Sequence, residues 1–191
     1  MNAGKYLIVF DINGTLIKRY HKYSEELKRY ESMGIVADKV SGAFAFYDRP
    51  HLDVLLKFLK THEVSYILWT TGMEKNAKIF VEHLESLGFD EHIGSYSQID
   101  CKAGKYKIDS SADLWVKDLD IVAKDHGFDV ERCILVDDSL DKSLYNQNLI
   151  CCKEYDPENY DDDGIMEICR YLDAFIGCTK ECIMKMMHNT A

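Results

Sequence analysis

Leu7-Ile8-Val9-Phe10-Asp11-Ile12-Asn13-Gly14-Thr15-Leu16 runs from four apolar residues straight into a polar turn that opens on an aspartate. A continuous apolar run of this length, closed by a glycine turn, reads as a strand buried on both faces, the kind that parallel sheets use. Later segments repeat the device. Residues 64–69 end in Thr70-Thr71-Gly72, and residues 133–136 end in Asp137-Asp138-Ser139. Lys117 follows Leu114-Trp115-Val116, where a helix is expected to begin. In open α/β sheets, ligands bind outside the carboxyl ends of the strands, at a topological switch point. Asp11, Thr70 and Asp137 are all expected at such ends.

The rest of the chain alternates apolar runs with amphipathic stretches. Strands are expected near residues 6–10, 64–69, 93–96, 133–136 and 148–152, and helices near 51–61, 74–87, 112–126 and 161–176. This alternation implies an α/β fold with a mostly parallel sheet flanked by helices. Pro50 suits the first turn of a helix, and Leu52, Leu55, Leu56 and Leu59 recur at helical spacing as a core stripe. Residues 17–49 break the pattern with a charged helix near 24–33 and a strand or hairpin at 40–47. They are expected to form a small insertion after the first strand that covers the site, with no large cap. The domain is expected to span residues 1–177, leaving 178–191 as a tail. Asp161-Asp162-Asp163 before an apolar helical pattern reads as a helix cap.

At 191 residues the chain fits one domain with a small insertion and can bury a proper core. Its 23 Lys+Arg against 33 Asp+Glu give a formal net charge of -10, which works against a nucleic-acid partner. The first residues lead into an apolar run too short for a signal peptide or a membrane span, so a cytoplasmic or nuclear location and no membrane partner are expected. Seven cysteines without zinc-ribbon spacing imply reduced thiols. Cys178, Cys182 and His188 could supply part of a metal site, but a complete tetrahedral set needs further ligands.

The ordered segments resemble the motifs of the haloacid-dehalogenase (HAD) phosphotransferases. Asp11-Ile12-Asn13-Gly14-Thr15 is similar to the first motif, D-x-D-x-T, with Asn13 in place of the second aspartate; Thr70, Lys117 and Asp137-Asp138 follow in the family order. Within that class the chain resembles the NLI-interacting-factor-like, small C-terminal-domain phosphatases. The match rests on Arg49-Pro50-His51-Leu52, Leu68-Trp69-Thr70-Thr71-Gly72, Val116-Lys117-Asp118-Leu119 and Val136-Asp137-Asp138-Ser139, and covers residues 5 to about 175. Thr71-Gly72 stands where that family commonly has Ala-Ser.

The resemblance implies a HAD-like, Rossmann-like fold and a magnesium-dependent phosphatase acting on phosphoserine or phosphothreonine in a protein or peptide, as a monomer. Asp11 would be the nucleophile that forms an aspartyl-phosphate. Mg2+ would be held by the Asp11 carboxylate, the Asn13 main-chain carbonyl and Asp138, with Asp137 orienting its neighbours; all-oxygen ligation suits this hard cation. Thr70, the amides of Thr71 and Gly72, and Lys117 would bind the phosphate. Phe44, Phe46 and Tyr47 would line a groove for the flanking residues.

Asn13 falls where the family has its general acid/base. An amide neither gives nor takes a proton near neutral pH, so this chain is expected to be inactive or to retain bound substrate, whether through natural loss or substitution. A natural pseudophosphatase that binds phosphopeptides fits the same residues, as does a small-metabolite or polynucleotide phosphatase of the superfamily. A receiver domain uses similar residues but puts its acid pair first.

Overall fold

A computed structural model describes residue 2, residues 4–104 and residues 114–177. In chain order the elements are β1 (Leu7–Asp11), β2 (Ile17–His21), α1 (Glu25–Ser32), β3 (Lys39–Ser41), β4 (Phe44–Asp48), α2 (Leu52–Thr61), β5 (Ser65–Trp69) and α3 (Glu74–Ser86). Then come β6 (Ser95–Tyr96), β7 (Lys102–Gly104), β8 (Leu114–Val116), α4 (Leu119–His126), β9 (Cys133–Asp137), β10 (Leu149–Cys151) and α5 (Gly164–Gly177).

Five strands form a parallel sheet in the order β10-β9-β1-β5-β6, the α/β architecture expected from the alternating pattern. β1 lies at its centre, which is why its sequence is apolar without interruption: both edges are paired, both faces are covered, and Leu7 to Phe10 are fully buried. Successive side chains point to opposite faces. Ile8 and Phe10 pack with Tyr66 and Leu68 against α2, α3 and α5, whereas Leu7 and Val9 pack with Ile67 and Trp69 against α4. From β1 the chain builds β5 and β6 on one side, then returns to lay β9 and β10 on the other. That reversal makes the carboxyl end of β1 the topological switch point.

The insertion folds as an antiparallel sheet, β2-β4-β3, with α1 beside it. β4 is its middle strand and is covered on both faces. Phe44 and Phe46 join the main core beside Phe80, while Ala45 and Tyr47 face Leu27, Tyr30 and Tyr155. The expected groove of Phe44, Phe46 and Tyr47 is therefore corrected: all three are core residues.

Two boundaries also differ from expectation. Leu114–Val116 is not helical but pairs antiparallel with Lys102–Gly104, and the helix starts at Leu119, capped by Asp118, whose Oδ1 accepts the Asp120 N–H at 2.9 Å. Lys117 thus precedes the helix. Pro50 lies before α2 rather than in its first turn, with His51 in the left-handed region at φ 70° between them. Among the described residues no helix is long and apolar enough to cross a membrane, and Cys101, Cys133, Cys151, Cys152 and Cys169 are free thiols. Cys178, Cys182, His188 and the tail lie outside the described residues.

Candidate active site at the end of strand β1

The parallel register sets the site. Asp11 lies beside Trp69, and Phe10 beside Val136, so Thr70 and Asp137 emerge on either side of Asp11. Lys117 reaches the same point from a separate segment. Its N–H donates to the Lys142 carbonyl at 2.8 Å and its own carbonyl accepts from Gln147 Nε2 at 2.8 Å. Gln147 Oε1 also accepts the Leu119 N–H at 3.1 Å, so one amide side chain clamps the segment on both sides of the α4 cap. The ammonium of Lys117 then donates to Asp11 Oδ1 and, at 2.7 Å, to Asp137 Oδ2. Asp137 Oδ1 accepts the Ser139 N–H at 2.9 Å, which engages both of its oxygens.

One lysine is set against three carboxylates. Asp11, Asp137 and Asp138 each offer an oxygen, all within 4.8 Å of one another. Burial pushes the Asp11 carboxyl up, Lys117 pulls it back, and the two neighbouring acids raise it again, to about 7. Burial, then Asp137 and Glu154, push Asp138 up to about 6. Burial works against the charge on Lys117, but Asp11 and Asp137 outweigh it and hold the ammonium above its ordinary range. Asp11 Oδ2 is buried and, among the described residues, has no hydrogen-bond partner. An orphaned carboxylate oxygen amid excess negative charge is what a hard divalent cation with oxygen ligands would satisfy, so these residues fit Mg2+.

Gly14 makes room for that arrangement. It sits at φ 97°, and a Cβ there would lie 2.4 Å from Asp138 Oδ2. Titrated with magnesium, the native chain is expected to bind, and Asp138→Ala to bind about 10-fold more weakly or worse. Equal affinity would remove Asp138 from the ligand set.

On the opposite flank, Thr70 Oγ1 accepts the Gly72 N–H at 3.1 Å, and Gln98 N–H donates to the Gly72 carbonyl at 3.0 Å. The Gly72 amide thus buttresses Thr70. Thr71 Oγ1 accepts from Lys142 Nζ at 3.3 Å. Asn13 is half-buried, and its Oδ1 accepts the Arg19 N–H at 3.0 Å.

Asp11, Thr70, Lys117, Asp137 and Asp138 thus gather at one strand end, with Asn13, Thr71 and Gly72 at its rim. The sequence reading missed Arg19, Lys142 and Gln147. It had no helical or strand period to find the last two, which lie in the irregular stretch between β9 and β10. Arg19 carried a signal: a cation on the strand that leaves the first acidic turn.

No curated protein matches the chain. Among solved structures it is similar to fission yeast RNA polymerase II CTD phosphatase Fcp1, in a single-residue variant bound to beryllium fluoride, with 16% identity over 97% of this chain and 55% of that one and a TM-score of 0.48. A second structure of Fcp1, described as an essential RNA polymerase II CTD phosphatase, gives 16% identity over 97% and 53% with a TM-score of 0.49. A Thermotoga maritima protein provisionally assigned as a beta-phosphoglucomutase gives 14% over 87% and 99%, with a TM-score of 0.48. The chain spans about half the length of the two Fcp1 chains. The model of the family described as NLI interacting factor-like phosphatase matches residues 6–182, and the chain belongs to that family.

Proposed function

We propose that the chain is a magnesium-dependent phosphoprotein phosphatase unit of the HAD type that binds phosphoserine or phosphothreonine segments, and that Asn13 leaves it inactive or substrate-retaining. The observation that carries this reading is the constellation of buried Asp11, Asp137 and Lys117 with half-buried Asp138 at the switch point, one Asp11 oxygen being unpartnered among the described residues.

Asp11 ends the central strand between Thr70 and Asp137, and both oxygens of Asp137 are engaged, so Asp11 is assigned as nucleophile. Attack by an Asp11 carboxylate oxygen on phosphorus, in line with the departing serine or threonine oxygen, forms an aspartyl-phosphate on Asp11 and breaks the ester bond. Lys117 donates to both Asp11 and Asp137 and so fixes the attacking carboxylate. Thr70 offers its hydroxyl to a phosphoryl oxygen, its lone pair being turned to the Gly72 amide. A bound Mg2+, held by Asp11, Asp138 and the Asn13 carbonyl, would supply charge neutralisation for the phosphoryl oxygens.

The departing alkoxide needs a proton, and the residue at position 13 is an amide. Its oxygen is engaged by the Arg19 N–H, which leaves Nδ2, a group that cannot serve as general acid or base. Asn13 is also the observation that favours the second reading, a phosphopeptide-binding module without turnover. The net charge of -10 argues against a polynucleotide substrate. A panel of phosphopeptides, nucleotides and sugar phosphates, offered with magnesium to the Asn13→Asp form, tests the substrate class. Phosphate release is expected from the peptides first, and release from sugar phosphates or nucleotides alone would overturn a protein substrate.

A further inference from the structure

Lys117 is fully buried and engaged by two acids, so it cannot alone meet the charge of an incoming phosphate. A second cation stands nearby. The guanidinium of Arg19, on β2, lies over the rings of Phe44 and Phe80, 5.1 and 4.8 Å from their centroids. Among the described residues its Nε is buried with no hydrogen-bond partner and the side chain has no ion pair.

The other four arginines differ. Arg29 pairs with Glu158, Arg49 with Asp162 and Arg170 with Glu167, and Arg132 donates to the Gly4 carbonyl. A half-buried guanidinium without an anion is costly, and two aromatic rings offset that only in part. Such a group is a candidate for a ligand's charge.

Its place agrees. The Phe80 ring that Arg19 covers also abuts the Thr70–Gly72 turn, 3.4 Å from where a Gly72 Cβ would stand. The Arg19 N–H is tied to Asn13 in the first acidic turn. Burial pulls the guanidinium down from its ordinary range, and the negative charge of Asp11 opposes that effect. The side chain is thus bracketed by the nucleophile's turn and the threonine turn.

We propose that Arg19 is a substrate-binding residue whose missing partner is the phosphate dianion. Its forked donors suit two phosphoryl oxygens, a contact that Lys117 is not free to make. This rests on the phosphatase reading above.

The test is calorimetric titration of inorganic phosphate, with magnesium present, into the native chain, Arg19→Met and Arg19→Lys. The native chain is expected to bind phosphate, Arg19→Met to bind it about 10-fold more weakly or worse, and Arg19→Lys to recover part of the loss. The melting temperature of Arg19→Met should hold or rise, because an uncompensated charge is replaced by an apolar stem. A purely structural Arg19 would instead lower the melting temperature and leave phosphate affinity unchanged, and that result overturns the proposal. Should Arg19→Met not fold, Arg19→Gln carries the same comparison. If the native chain binds magnesium but no phosphate, the phosphatase reading itself falls, and Arg19's role with it. Unchanged affinity in Arg19→Met beside normal binding by the native chain sinks the Arg19 proposal alone.

Discussion

Asn13→Asp is expected to raise magnesium-dependent release of phosphate from a phosphoserine peptide by about 10²-fold or more, the usual contribution of a general acid/base. The exchange of an amide for a carboxyl is nearly isosteric. One carboxylate oxygen can keep the Arg19 N–H that Asn13 Oδ1 now accepts, which leaves the other for the ester oxygen and later for water. The gain should be smaller on aryl phosphates in the phosphorylation step, because a phenolate departs more readily unprotonated. Adding Asp11→Asn to the restored chain should abolish turnover, since both oxygens of Asp137 are engaged. Continued activity in that double variant would rule out the aspartyl-phosphate on Asp11. A folded, magnesium-binding Asn13→Asp chain that releases no phosphate from any ester would favour the binding module.

What the sequence made legible is what local chemistry dictates. Leu7–Phe10 could only be buried on both faces, and a leucine stripe at helical spacing could only be one face of α2. Acids placed just past such strands converge because parallel strands align their carboxyl ends, so Asp11 and Asp137 were legible before their distance was known. Short segments without a clear period were not. Leu114-Trp115-Val116 is apolar enough for either a helix or a strand, and its antiparallel pairing with Lys102–Gly104 decided the matter. The same holds for Phe44, Phe46 and Tyr47. Alternation predicts a strand, but α1 and Tyr155 cover the face that the core leaves bare, so none of these three aromatics is free to line a groove.

The least legible feature is an ion pair between residues 113 positions apart. In the sequence Arg49 is one letter of a motif and Asp162 part of a helix cap. The cap is present, with Asp162 Oδ1 accepting the Gly164 N–H at 3.1 Å. The same carboxylate also accepts Arg49 Nε at 2.7 Å and Nη2 at 3.2 Å, and Arg49 donates to the Thr15 carbonyl at 3.0 Å and the Lys153 carbonyl at 2.9 Å. One buried guanidinium thus joins the first acidic turn, the segment after β10 and the start of α5. No local pattern announces such a contact.

Arg49→Ala is accordingly expected to destabilise the chain by about 3–5 kcal/mol, because it leaves the buried Asp162 carboxylate unpaired and strips two carbonyls of their donor. Thermal or urea unfolding measures it. For a chain of this size the melting temperature should fall by roughly 10 °C. Magnesium affinity should fall too, since Thr15 belongs to the turn that carries Asn13 and Gly14. Gly164 supplies the check that separates this account from a general sensitivity of α5. Alanine in place of glycine near a helix start would ordinarily stabilise, by up to about 1 kcal/mol. At Gly164, however, a Cβ would stand 1.9 Å from Arg49 Nη2, so Gly164→Ala must push the guanidinium off Asp162. The sign decides: destabilisation is the expected result, and a gain in stability would show that the Arg49 bridge does not hold the two ends of the fold together.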